Sequence, residues 1–137
     1  TSLPVSAPRG LVGYAQIVAD SVAVTGLTVI TGLSISWTAV AGRRYRFTFS
    51  GEILQSIASD VWVLSLEDTA VTLKRITGAN GNVSSRTIEA SYVNNTSISG
   101  SKTWQVNLSR AGGTGNIKVG ADTMYPAYVI IEDIGAL

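Results

Sequence analysis

The chain has no cysteine and no histidine in 137 residues. Without cysteine there is no disulfide framework, no thiolate nucleophile and no zinc site built on sulfur, which excludes a disulfide-stapled secreted module. Without histidine, the residue used most often for general acid–base chemistry and for metal ligation is missing. Charge is also scarce: 14% of the residues are Asp, Glu, Lys or Arg, against about 25% in ordinary soluble domains. Ten basic and nine acidic residues leave a formal net charge of +1. So small a net charge gives no long-range attraction for phosphate or anionic lipid, and neither nucleic acid nor a membrane surface is an expected partner. The longest apolar stretch, residues 22–33, is broken by Gly26, Gly32 and three threonines, too short and too polar for a bilayer-spanning helix.

What remains is 45% apolar. A chain of this length fits one domain that buries about two-thirds of its unfolded surface. With so little charge to coat the outside, part of that surface is expected to lie against other chains.

Residues 1–10 hold Pro4 and Pro8, two of the three prolines. Proline fixes φ and removes a backbone donor, so this segment reads as an extended N-terminal arm before a single domain over residues 11–137. In that domain Tyr45, Phe47 and Phe49 alternate with Arg44, Arg46 and Thr48, a period of two that places the aromatics on one face of a strand. Trp104, Val106 and Leu108, and Ile88, Ala90 and Tyr92, alternate in the same way. Further strands are predicted at 13–18, 27–31, 34–39, 61–67, 70–76, 117–120 and 127–134. Between them stand turn-forming groups such as Ala41-Gly42, Glu67-Asp68, Asn94-Asn95 and residues 111–115. Many short strands and no helical stripe predict an antiparallel β-sandwich.

Val61-Trp62-Val63-Leu64 and Tyr128-Val129-Ile130-Ile131 are apolar at every position. Either they are central strands covered on both sides, or one face meets a neighbouring subunit; a sandwich strand has only one inner face, which favours the second. The residues expected at an oligomer or docking interface are therefore Tyr14, Trp62, Tyr128 and Ile130, with Pro4, Pro8 and Arg9 from the arm.

Catalysis would have to rest on carboxylates. Glu67-Asp68 and Glu132-Asp133 are the adjacent pairs, but strand neighbours point to opposite faces, and Glu67-Asp68 reads as a turn. Neither provides two acids flanking a cleft, so no enzyme activity is expected. No loop has the acid spacing of a calcium site, and no metal or cofactor is expected. Arg43, Arg44 and Arg46 are read as cross-strand ion-pair partners on a solvated face. The three tryptophans and five tyrosines are read mainly as core, with a sugar-stacking platform as the alternative. N-x-S/T triplets at Asn82, Asn94, Asn95 and Asn107 are read as chance matches in a Ser/Thr-rich chain.

Pro8-Arg9-Gly10-Leu11-Val12-Gly13-Tyr14-Ala15, the segment Thr38-Ala39-Val40-Ala41-Gly42-Arg43-Arg44-Tyr45-Arg46, and Ile131-Glu132-Asp133-Ile134-Gly135 resemble small virion proteins, of decoration or minor tail type, encoded by tailed phages of actinobacteria. The resemblance runs from Pro8 to Gly135. It implies a jelly-roll-like β-sandwich on the virion surface, a homo-oligomer and preferably a trimer, whose partners are its own copies and other virion proteins such as the major capsid or tail proteins. A capsid decoration protein is the leading expectation. A minor tail or fibre-tip domain that binds a host surface glycan is the alternative.

Overall fold

Period-two alternation of apolar and polar residues becomes nine strands: β1 (Gly10–Ile17), β2 (Thr28–Ala39), β3 (Arg43–Gln55), β4 (Val61–Asp68), β5 (Val71–Ala79), β6 (Ser85–Val93), β7 (Gly100–Gly112), β8 (Ile117–Gly120) and β9 (Ala127–Ala136). The computed structural model describes residues 7–81 and 85–137, and no helix occurs among them. Pro4, the rest of residues 1–6 and Asn82 lie outside the described residues.

The first sheet has the order β1-β9-β3-β6, with short β8 also paired to β3; the second has the order β2-β7-β4-β5. All pairings are antiparallel. Four of them are nested: β4 with β5, β3 with β6, β2 with β7 and β1 with β9. A long antiparallel ribbon rolled so that successive pairs fall in alternate sheets is the jelly-roll arrangement, as expected.

The core lies between the sheets. Phe47, Phe49, Val129 and Ile131 face inward from the first sheet, and Leu33, Leu64, Leu66, Val106 and Leu108 from the second; all are fully buried. Trp104 is the hub, its ring 4.9 Å from Trp37 and 5.7 Å from both Phe47 and Tyr92. Tilted and edge-on rings of this kind gain about 0.5–1.5 kcal/mol per pair beyond their burial. The reading of most aromatics as core therefore holds.

Several expected boundaries move. The strands predicted at 27–31 and 34–39 are one strand, β2, with a bulge between Val29 and Ser34. Gly32 sits there at φ +91°, and a Cβ on it would stand 2.7 Å from Ile17, so glycine meets both the conformation and the close approach of β1. Glu67-Asp68 is not a turn: β4 continues through both, and the chain reverses at Thr69, at φ 53°. The turn is displaced because β7 holds it, with Thr69 N–H donating to Thr103 O (2.9 Å) and Gln105 Nε2 donating to Thr69 O (2.5 Å). Gly10, placed in the arm from the sequence, begins β1.

Candidate functional site

The three segments that carry the phage resemblance meet at one point. Arg43 opens β3 with the strand parity of Tyr45, Phe47 and Phe49, so its side chain enters the core face. Asp133 has the parity of Val129 and Ile131 on the neighbouring strand and meets it there. Arg43 Nε donates to Asp133 Oδ2 at 2.9 Å and Arg43 Nη2 to Oδ1 at 2.6 Å. Gly135 N–H also donates to Oδ1, Arg9 N–H donates to Asp133 O, and Arg43 Nη2 donates to Ala7 O. Burial pushes the Asp133 carboxyl upward, but the Arg43 bonds, the Gly135 N–H and the charges of Arg43 and Arg9 outweigh it and hold it below the usual carboxylate range. This knot ties residues 7–9, β3 and β9 together. It leaves the carboxylate occupied and shut in, a structural role for all three motifs.

Arg43 thus corrects one expectation: it pairs with an acid, but in the interior rather than on a solvated face. Arg46 fits the expected pattern, exposed and 3.3 Å from Glu132. Arg44 is exposed on the same outer face.

Most of the other acids are also engaged. Asp60 is buried, accepting N–H from Thr114 at 3.2 Å and from Gly115 at 2.7 Å, which fastens the β7–β8 loop. Buried Glu67 accepts from Asn107 Nδ2, and Asp68 pairs with Lys102 at 3.5 Å. Asp20 is held below its ordinary value by the Ala121 N–H and by Lys118. Asp122 accepts the N–H groups of Met124 and Tyr125, both at 2.8 Å. Glu132 and Asp133 point to opposite faces, as strand alternation requires. Among the described residues no cluster of three or more acids is placed to hold a metal. Two of the glycosylation triplets are structural: Asn94 and Asn107 are buried, and Asn94 Oδ1 accepts the Tyr45 N–H while its Nδ2 donates to Arg43 O and Thr96 O.

Of the residues expected at an interface, Tyr14, Tyr128 and Ile130 are brought together on the outer face of the first sheet. Tyr14 lies directly opposite Ile130, and its ring stacks on Tyr128 with centroids 5.9 Å apart and planes 18° from parallel. Trp62 does not join them. It is 2% exposed, lies over Gly78, and donates from Nε1 to Asn80 Oδ1 at 3.0 Å. Sequence alternation gave β4 two apolar faces, and Trp62 takes the inner one; Val61 and Val63 take the outer. Pro8 and Arg9 are exposed in the irregular segment leading into β1.

A second apolar region was not singled out from the sequence. Val18, Val22, Leu27 and Val29 are all exposed, in the stretch from the end of β1 into β2, the edge strands of the two sheets. Ile17, Val22, Val24 and Val29 line a groove of ≈ 340 Å³ on it. The signal was present in the apolar stretch 22–33, but only the pairing of β1 with β9 and of β2 with β7 shows that both strands are sheet edges.

No family model and no curated protein matches the sequence. Among solved structures, a chain in a structure titled "Structure of infectious bursal disease virus Gt strain" is similar over 93% of this chain, with a TM-score of 0.34 and 14% identity; the present chain spans 37% of that one.

Proposed function

We propose that this protein is a structural subunit of a phage virion that assembles with copies of itself, most simply as a trimer, on the capsid surface as a decoration protein. The observation that carries the reading is the apolar flank on β1, β2 and the segment between them. Four large aliphatic side chains, Val18, Val22, Leu27 and Val29, stay in water there unless another chain covers them, and the two edge strands run beside them. Soluble monomers rarely leave such an edge unprotected, because unpaired N–H and C=O groups with apolar neighbours template association. The phage resemblance supports the virion setting. Asp20, Asp60, Glu67, Asp68, Asp122 and Asp133 serve as pins and caps, which suits a rigid coat piece.

Sedimentation of the purified chain at micromolar concentration tests the assembly. A stable oligomer is expected, and its dissociation by Val22→Lys together with Val29→Lys, with the circular dichroism of the folded chain retained. A monomer for the unsubstituted protein would overturn the reading. Binding to undecorated capsids, against binding to tails, tests the placement on the particle.

A further inference from the structure

We infer that the outer face of the first sheet is a saccharide-binding face, selective for neutral or amino sugars over acidic ones. The stacked Tyr14–Tyr128 pair marks one side. Tyr128 also divides two adjoining grooves, of ≈ 290 Å³ and ≈ 390 Å³. Thr48, Ser91 and Glu89 line the first; Glu52, Thr87 and Tyr125 line the second. The strand register orders the face into rows: Tyr14, Ile130, Thr48 and Ser91 in one, and Gln16, Tyr128, Ser50 and Glu89 in the next. Aromatic faces and hydroxyl or carboxylate acceptors therefore alternate on a rigid sheet. Tyr125 overhangs the second groove on a turn fixed by Asp122, whose carboxylate takes the Met124 and Tyr125 N–H groups and whose own N–H donates to Tyr125 O.

The charges choose the occupant. Arg46 is taken by Glu132, while Glu52 and Glu89 have no ion pair or side-chain hydrogen bond among the described residues. The grooves therefore present two unshared carboxylates. A second copy of this chain could answer them only through an exposed arginine such as Arg44, an occupant that the oligomer measurement below tells apart. A sugar supplies what they lack: several hydroxyl or ammonium donors for charge-assisted bonds, and a C–H face for a tyrosine ring. A phosphate, sulfate or carboxylate on the sugar meets two like charges instead. The face is distinct from the apolar flank, so it and the assembly reading fail independently.

The full-length chain, labelled for amide NMR, is titrated with chitotriose, its de-N-acetylated triamine and maltotriose, and with sialyllactose as the acidic control. Expected are shifts confined to β3, β6 and β9 amides with at least one of the first three sugars, and weaker binding of sialyllactose. Tyr125→Ala and Glu89→Gln, both at the surface, are expected to weaken that binding about tenfold each while leaving the spectrum of the folded protein intact. No shift with any of the three at millimolar concentration would overturn the inference, as would preference for sialyllactose or undiminished binding by both variants. Dissociation of the oligomer by Tyr125→Ala would assign the face to a copy contact and overturn it equally.

Discussion

Arg43 and Asp133 stand 90 residues apart in sequence and face each other inside the sandwich through two hydrogen bonds, with side chains 3% and 5% exposed. A two-point guanidinium–carboxylate contact fixes direction as well as distance. Here it holds β3 against β9 beside a register shift between Arg44 and Tyr45.

The pair makes stability depend on acid. Asp133 titrates below its unfolded value of about 3.9, so its contribution is complete above that pH and is lost as pH falls through the lower folded value. Asp20, also depressed, adds to the same window. Thermal unfolding from about pH 2 to pH 7 is expected to show a steep fall in midpoint below about pH 4. Asp133→Asn is expected to be less stable at neutral pH and to show a shallower fall; an unchanged slope would remove Asp133 from this role.

Asp60 and Gly113 form a matched lock. Gly113 has φ +100°, and any Cβ there would run into the Asp60 carboxylate. Gly113→Ala combines backbone strain with that collision and is expected to cost at least about 1 kcal/mol. Asp60→Ala leaves the Thr114 and Gly115 N–H groups without their acceptor and is expected to cost about 1–3 kcal/mol. Urea unfolding measures both, and the double variant should cost less than the sum, because the two changes act on one contact.

Trp62 and Trp104 are both buried, yet their N–H groups differ. Trp62 Nε1 bonds Asn80 Oδ1, and Asn80 in turn bonds Gln55 Oε1 through its N–H and Ile53 O through Nδ2. Trp104 Nε1 has no hydrogen-bond partner among the described residues. Trp62→Phe therefore strands an acceptor at a penalty of about 1–3 kcal/mol beyond the lost ring volume, whereas Trp104→Phe incurs only the packing loss. Restoring stability to Trp62→Phe by Asn80→Leu would fail, since Asn80 Nδ2 also satisfies the buried Ile53 O, and leucine would leave that carbonyl without a donor. Chemical denaturation of the four chains checks this ordering.

Gly13 lets the two sheets meet. A Cβ on it would collide with Ile35 of β2, so Gly13→Ala is expected to overpack this corner by about 1–3 kcal/mol. Pairing it with Ile35→Ala, which removes the colliding Cγ2, should relieve the clash so that the double variant costs less than the sum of the two single ones, read again by urea unfolding.

Much of the fold was legible because β structure writes its faces at period two. The aromatics of β3 and the apolar series of β6 and β7 declared the core side directly, and β8 was placed at its observed bounds. Arg43 and Asp133 carried the same message, each a charge at core parity, yet they were read as solvated because their meeting depends on β3 lying beside β9. The outer face of the first sheet was half visible: Tyr128 and Ile130 stood out as apolar residues of outward parity, but their neighbours Thr48, Ser50, Glu89 and Ser91 belong to strands far away in sequence.

Local chemistry thus determined where most strands lie, the inward side of those that alternate, and most turns, because alternation and turn-forming residues act over a few positions. Only the tertiary structure decided which strands are partners. In this roll just one of the four nested pairs, β4 with β5, is joined by a short turn. The others close over long loops, so no local signal names the partner. That non-local pairing buries Trp62, shuts Arg43 in with Asp133, sets the edge strands β1 and β2 beside one apolar flank, and gathers three tyrosines and two unshared carboxylates on a single outer face.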